Sequence, residues 1–186
     1  DDSIDIFLFA TEACNSGEMK IDNLDAKLIQ KMVDRSSVGG GTAYGAAIKK
    51  IRSFYFSESA NRNKPLKKEI PIYVMFVTDG ATSDESITKE QIEWSSYEPI
   101  FWQFMAIGRS KKDIKGSGIL ASLKRAITSD FSFLEQLDTM QGRYVDNANF
   151  FSVEDPQTIT DDKLYELLMT EYPSWVRLAK NKGLLT

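Results

Sequence analysis

The chain has 186 residues, of which 42% are hydrophobic and 27% charged, and this size and mixture are those of one compact domain. With 23 Lys plus Arg against 27 Asp plus Glu, the net charge is −4, which disfavours nucleic acid and anionic membranes as partners. The sequence contains no histidine, which excludes Ser/His/Asp triads, Cys/His dyads and histidine-ligated zinc sites.

The cysteine content and the lengths of the apolar runs bear on the cellular compartment of the protein. The single cysteine, Cys14, excludes an internal disulfide and a multi-thiolate metal site, so nothing in the cysteine content argues for secretion. Apolar runs such as residues 72–77 are far too short to span a bilayer. The sequence therefore predicts a cytoplasmic protein without a membrane span.

The first elements predicted along the chain are a β-hairpin and a short helix. Residues 4–10, IDIFLFA, are almost wholly apolar, as expected for a strand that is covered on both faces. The NSG cluster at 15–17 has turn chemistry, and the alternating pattern over 18–24 predicts the returning strand. Apolar residues at helical spacing over 24–35 then predict a helix of two to three turns.

A glycine-rich loop and a second buried strand follow. The loop is GGGT at residues 39–42, and the apolar residues over 44–55 fall on one face of a helix that is predicted to begin near Thr42. The run IYVMFVT at 72–78 predicts a buried strand, which ends at Asp79.

Further along the chain, buried apolar strands continue to alternate with amphipathic helices. The predicted helices begin near residues 85, 130 and 160, and the predicted strands cover residues 100–108 and 149–153. The residues that can cap the first of these helices are Thr82, Ser83 and Asp84. The alternation predicts an α/β fold with a doubly wound, mostly parallel central sheet, helices on both faces and one antiparallel edge strand from the hairpin.

Two oxygen-bearing side chains stand where such a sheet gathers its ligands, which is at the carboxyl ends of its strands. Asp79 follows the strand at 72–78, and Thr42 follows the glycines that lead into a helix. A carboxylate, a hydroxyl and flanking glycines form a partial oxygen cage for a hard divalent cation, and Mg²⁺ suits it best. By contrast, Asp138, Asp146 and Asp155 have no convergent partners that the sequence identifies.

Two sequence segments carry a resemblance to a known family. The elements GGGTAYGAAI at 39–48 and VMFVTDG at 74–80 resemble the von Willebrand factor A-type (vWA) domain. The stretches FSFLEQLDTMQGRYVDNANFFSV and LYELLMTEYPSWVRLAKNKGLL resemble, more narrowly, the vWA domain at the C-terminal end of TerF-type tellurium-resistance proteins of bacteria. The resemblance implies a single vWA-like domain over 1–186, in which residues 109–129 are an insertion.

The resemblance also implies a metal-ion-dependent adhesion site, which vWA domains build from three loops. Thr42 matches the threonine of the second loop and Asp79 the aspartate of the third, but the D-x-S-x-S motif of the first loop is absent. Residues 3–13 correspond by position to the second strand of the family, and the first strand is central in the order 3-2-1-4-5-6. We therefore expect that strand, its helix and the first metal loop to precede Asp1, and Mg²⁺ to be weakly held or absent in this chain.

The function implied by the resemblance is non-enzymatic protein recognition in a bacterial tellurium-resistance or stress-response system. A carboxylate from a partner would complete the coordination of the metal, and TerD-type calcium-binding domains are the implied partners. Two alternatives stay open: a Mg-dependent nucleotide-binding or phosphoryl-transfer protein that uses the Gly39–Thr42 loop, and a structural module with a lapsed metal site. The G-x-x-x-x-G-K-[ST] and G-x-G-x-x-G patterns are both unmet, which disfavours the first alternative.

Overall fold

The computed structural model describes residues 3–20, 22, 25–35, 40–57, 62–108 and 131–186. The chain forms two compact units, a first unit of Asp1–Asn61 with Thr82–Gln91 and a second unit of Arg62–Ala81 with Ile92–Thr186. The predicted insertion at 109–129 lies outside the described residues, and the single domain over 1–186 stays a prediction.

The first unit opens with an antiparallel hairpin of β1 (Ser3–Phe9) and β2 (Ala13–Lys20). The chain turns at residues 10–12, where the Ala10 N–H donates to the Glu12 carbonyl at 2.8 Å. The predicted hairpin is confirmed, although its second strand begins well before the predicted position.

The turn predicted at residues 15–17 is wrong, because these residues form a β-bulge inside β2. The pairing register with β1 shifts at this point, which leaves Ser16 as the extra residue. Gly17 has a φ of +101°, and its N–H donates to Asn15 Oδ1 at 2.7 Å. Glycine and asparagine are common in both β-bulges and turns, because both tolerate backbone dihedral angles that are unfavourable for most other residues.

Two helices follow the hairpin in the first unit, α1 (Ala26–Arg35) and α2 (Tyr44–Phe56). Tyr44, Ile48 and Ile51 are buried on one face of α2, as their spacing predicts. The helix packs against the hairpin, with the Tyr44 ring centroid 6.0 Å from that of Phe9. A third helix, α3 (Glu85–Ser95), has its first turns in the same unit.

The second unit contains a parallel sheet of three strands in the order β3 (Ile72–Thr78), β4 (Ile100–Ile107) and β5 (Ala148–Val153). Its helices are α4 (Ser132–Asp138), α5 (Asp161–Leu168) and α6 (Tyr172–Asn181). The predicted α/β fold with a parallel sheet is confirmed. Among the described residues, the two strands of the hairpin pair only with each other.

The strands of this sheet differ in how far they are covered. Every residue from Ile100 to Ala106 in β4 is buried, as its continuous apolar run predicts. In β3, Phe76 and Thr78 are buried while Met75 and Val77 are 43% and 42% exposed. The prediction that residues 72–78 form a buried strand is therefore wrong for part of β3, whose side chains alternate between a covered and an open face.

The helix predicted to begin near residue 160 is α5, which begins at Asp161. The Thr160 hydroxyl caps α5 by accepting from the Lys163 N–H at 3.3 Å. The chain breaks between α5 and α6, and Pro173 lies in the first turn of α6, where its missing N–H does no harm. In the part of the chain that the structure describes, no helix combines the length and apolar character that crossing a membrane requires.

We predict that Gly45→Ala destabilises the first unit. A Cβ at this position would lie 2.7 Å from Ile87 Cγ2, 2.8 Å from the Thr88 backbone nitrogen and 2.9 Å from Asp84 Oδ2, so the start of α2 would have to move away from α3. Overpacking of this kind costs about 2 kcal/mol in the free energy of unfolding, which chemical denaturation followed by circular dichroism can measure.

Gly41→Ala is the matched control for this substitution. A Cβ on Gly41 would meet its nearest atoms at 3.9 Å, which is ordinary van der Waals contact. We expect the free energy of unfolding of this variant to lie within about 0.5 kcal/mol of the wild-type value. Equal stability of the two variants would contradict the close packing at Gly45.

Candidate functional site

The loop that carries Thr42 is anchored to the turn of the hairpin. The Gly41 N–H donates to Thr11 Oγ1 at 2.9 Å, and the Ala43 N–H donates to the Ala10 carbonyl at 2.7 Å. Gly40 has a φ of +95°, and a Cβ on it would lie 2.6 Å from Thr11 Oγ1. Glycine is therefore required at position 40 both for the backbone conformation and for the close approach to the hairpin.

The backbone of Thr42 itself is fixed from the opposite side of the loop. Its carbonyl accepts from the Ser83 N–H at 2.7 Å, from the Ser83 hydroxyl at 2.8 Å and from the Thr82 hydroxyl at 3.3 Å. These three hydrogen bonds hold the Thr42 backbone to the segment that precedes α3.

The start of α2 takes its cap from the same segment. The Asp84 carboxylate accepts from the Gly45 N–H at 3.1 Å and from the Ala46 N–H at 3.0 Å. The Tyr44 N–H donates to Thr82 Oγ1 at 2.9 Å. Three of the four N–H groups that a helix start leaves unpaired are therefore satisfied by residues almost forty positions away in the sequence.

Asp84 stands at the start of α3 as well. Its carbonyl accepts the first helical hydrogen bond of α3, from the Thr88 N–H at 2.9 Å, and its carboxylate accepts from the hydroxyls of Thr82 at 2.7 Å and Thr88 at 3.1 Å. The sequence predicts Thr82, Ser83 and Asp84 as caps of α3 but gives no signal that they also cap α2, because the partner helix is remote in sequence.

The position that precedes α2 is Ala43, whose side chain makes no capping hydrogen bond. Thr42 is therefore not the N-cap of α2. Since Asp84 and Thr82 cap the helix, the half-buried Thr42 side chain is not engaged in capping it.

The hydrogen bonds to Asp84 also control its ionisation. Burial by itself would raise the pKa of this carboxyl group, but the bonds from Thr82, Gly45, Ala46 and Thr88 outweigh burial and lower the pKa below its ordinary value. The carboxylate therefore remains ionised at neutral pH, close to the positive end of the α2 dipole.

The structure places Asp79 where the sequence predicts, directly after the carboxyl end of β3, and its side chain is exposed. Asp79 belongs to the second unit and Thr42 to the first. The metal site that would use both residues stays a prediction.

The residue types suit a hard divalent cation, although only as a partial set of ligands. A carboxylate and a hydroxyl are oxygen donors of the kind that Mg²⁺ prefers, and Mg²⁺ retains several waters in its usual sites. Over the described ranges, no three Asp, Glu or Cys side chains are grouped so that they could hold a metal ion by themselves. A cation bound here would rely on one charged ligand from this chain together with water or a ligand from a partner.

The same geometry bears on the phosphate-binding alternative. A phosphate at the start of α2 would need the free N–H groups of the first helical turn. The Gly45 and Ala46 N–H groups already donate to Asp84, and the negative charge of this carboxylate would repel a phosphate. The start of α2 is therefore poorly suited to bind a nucleotide.

Comparison with known proteins places the whole chain in one family of domains. A family model described as the vWA found in the TerF C terminus matches residues 1–185. The chain is also 38% identical over 115 residues to a Bacillus subtilis (strain 168) protein named "Uncharacterized protein YcbR". That alignment covers 62% of this chain and 39% of YcbR, so the chain spans well under half the length of that relative.

We predict that Asp84→Asn destabilises the protein by about 1 to 2 kcal/mol at neutral pH, because the N–H groups of α2 lose a charged acceptor. The folded-state pKa of Asp84 is lowered, so its contribution is complete above the ordinary value of 3.8 and disappears as the pH falls through the lowered value. The difference in unfolding free energy between wild type and variant should therefore shrink in acid, as denaturation at a series of pH values can measure.

Glu85→Gln is the control for this experiment, since it removes an exposed carboxylate from the adjacent position in the first turn of α3. We expect a change of about 0.5 kcal/mol or less from the loss of the charge near the helix dipole. A difference for Asp84→Asn that is no larger than this, or that does not shrink in acid, would contradict the capping role.

Proposed function

The chain belongs to the vWA family found at the C terminus of TerF, and on this premise we propose that it is a non-enzymatic protein-recognition module. The recognition surface is the carboxyl edge of the strands, where loops of an α/β fold bind ligands. The proposed setting is the cytoplasm of a bacterium, within a tellurium-resistance or stress-response system.

The observation that carries this proposal is the anchoring of the Thr42 loop. Its backbone is held from one side by Ala10 and Thr11 and from the other by Thr82 and Ser83. A loop that is fixed from both sides presents its side chains in one geometry, which lowers the entropy lost when a partner binds. The Thr42 side chain is presented in this way without being used to cap α2.

We further propose that Thr42 and Asp79 contribute to a divalent cation site, with Mg²⁺ as the preferred ion. The support is the chemistry of the two oxygen donors and the exposure of Asp79 beyond β3. With one charged ligand from this chain, the cation would be held weakly until a partner supplies another carboxylate. The proposed partners are TerD-type domains of the same resistance system.

The two alternatives predict different behaviour. A nucleotide-handling protein would use the start of α2, which Asp84 and Thr82 already occupy, and this occupation argues against it. A structural module with a lapsed metal site would keep the fold and bind neither cation nor partner through these loops. The experiments below separate all three.

We expect Mn²⁺, used as a paramagnetic probe, to broaden the amide signals next to Thr42 and Asp79 in NMR spectra of the whole chain. Asp79→Ala should weaken Mn²⁺ binding at least about tenfold, because removal of a charged ligand leaves one neutral oxygen. The control is Asp161→Ala, which removes an exposed carboxylate at the start of α5. Broadening that is unchanged by Asp79→Ala would contradict the metal site.

A binding assay with a purified TerD-type domain tests the partner. Because TerD-type domains bind calcium themselves, a chelator would confuse the result, and the comparison is made between variants instead. We expect Asp79→Ala to weaken the complex about tenfold, equivalent to 1.4 kcal/mol, and Asp161→Ala to leave it unchanged. Equal binding by both variants would support the structural-module alternative, and a rise in melting temperature with Mg-ATP would support the nucleotide alternative.

A further inference from the structure

A group of exposed lysines lies at the amino edge of the parallel sheet in the second unit. Three of them precede β3 and two lie at the end of α6 and just after it, and together they form the lysine surface: Lys64, Lys67, Lys68, Lys180 and Lys182. Asp79 follows the carboxyl end of β3, at the opposite edge of the sheet. The lysine surface is therefore separate from the proposed cation site.

Backbone hydrogen bonds join the two segments that carry these lysines. The Lys68 N–H donates to the Leu184 carbonyl at 3.0 Å, and the Thr186 N–H donates to the Lys68 carbonyl at 3.2 Å. Lys68 and Leu185 thus pair as a parallel bridge. Because the Leu184 N–H closes the end of α6 by donating to the Ala179 carbonyl at 2.8 Å, that helix end is held beside the segment that leads into β3.

Two tyrosine rings connect the same two segments a second time. Tyr97 and Tyr144, which precede β4 and β5, stack with their ring centroids 4.8 Å apart and their planes at 15°. The Tyr97 carbonyl accepts from the Leu66 N–H at 2.8 Å, and the Tyr144 hydroxyl donates to the Lys182 carbonyl at 2.9 Å. The Lys182 ammonium also lies 5.4 Å from the centroid of the Tyr144 ring, within the range of a cation–π contact. The two lysine-bearing segments are therefore held at fixed positions around a half-buried pair of rings.

The lysine surface concentrates positive charge on an acidic protein. Its five lysines and the neighbouring Glu69 give a local formal charge of 5 − 1 = +4, although the whole chain has a net charge of −4. No described carboxylate forms an ion pair with Lys64, Lys67, Lys68 or Lys180. The negative end of the α6 dipole favours the two lysines at that helix end, but the three lysines before β3 lie outside any helix. Their charges are available to a ligand.

The range of these charges favours a short anionic segment over an extended polyanion. Exposed charges are screened beyond about 10 Å at 0.1 M salt, so a ligand confined to the lysine surface responds mainly to the local charge of +4. A nucleic acid or an anionic membrane would extend past this surface and meet the remainder of the chain, whose charge is −4 − 4 = −8. Nucleic acid bases also need open aromatic faces, whereas Tyr97 and Tyr144 already stack on each other.

We propose that the lysine surface binds an acidic segment of a partner protein, whose Asp or Glu side chains pair with the five lysines. An apolar side chain within that segment would add affinity by covering Ile70, which is 75% exposed two residues after Lys68. Because the backbone bridge and the tyrosine pair fix the two lysine-bearing segments beforehand, little backbone ordering is needed when the segment binds. This second contact surface does not use Thr42 or Asp79.

The test uses acetyl-Glu-Glu-Leu-Glu-Glu-amide as the probe in NMR titrations of the whole chain at low salt. We expect this acidic peptide to shift the amide signals of residues 64–70 and 180–186. The same peptide with glutamine in place of glutamate lacks the charges and should bind at least about tenfold more weakly. Raising the NaCl concentration from about 0.02 M to about 0.5 M should weaken the acidic peptide at least about fivefold, because exposed ion pairs are screened.

Variants of the lysine surface complete the test. The double variant Lys67→Gln, Lys68→Gln should weaken the acidic peptide about threefold to tenfold, and the double variant Lys67→Arg, Lys68→Arg should retain binding because it keeps both charges. Lys163→Gln is the control, since it removes an exposed cation that pairs with Glu166 in α5, after the carboxyl end of β5. Asp79→Ala, which tests the cation site, should leave peptide binding unchanged, so the two proposals can fail separately.

Three results would overturn the proposal. The first is equal binding of the acidic and glutamine peptides, including the absence of binding by either. The second is binding of the acidic peptide that Lys67→Gln, Lys68→Gln leaves unchanged. The third is tighter binding, at the same salt concentration and through the same signals, of a single-stranded oligonucleotide or of vesicles made from equal parts of phosphatidylserine and phosphatidylcholine, which would identify an extended polyanion as the ligand instead.

Discussion

The arrangement of the first unit depends on one carboxylate that serves two helix starts. Asp84 is the residue from which α3 begins, and its side chain satisfies N–H groups at the start of α2. The contact requires α2 and α3 to approach closely, and Gly45 permits this because a Cβ there would collide with α3. Capping of α2 and its close packing against α3 therefore depend on each other. Together they fix the position of the loop that carries Thr42.

This constraint explains why the start of α2 is poorly suited to bind phosphate. Phosphate-binding loops leave the N–H groups of a helix start free for the ligand. Here the protein fills those positions with its own carboxylate and hydroxyl, so the positive end of the α2 dipole is already neutralised. The Thr42 hydroxyl is not used in this cap, and it is an oxygen donor of the kind that suits a hard cation or a polar partner.

The sequence predicts those features that depend on burial and local periodicity. The continuous apolar run of β4 correctly predicts a strand, and the helical spacing of apolar residues correctly predicts α2. Both patterns arise because the apolar side chains of an element are buried away from water. The turn predicted at 15–17 fails because a bulge and a turn use the same residue types. The prediction that β3 is buried fails in part, because an apolar run does not reveal whether both faces of a strand are covered.

The polar contacts could not be predicted, since they join residues far apart in the chain. Asp84 and Gly45 are separated by 39 positions, and no spacing rule connects a cap to a helix that remote. The same holds for Asp138 and Asp146, for which the sequence identifies no convergent partner. The fold brings both to one cavity with Arg143 and Glu171.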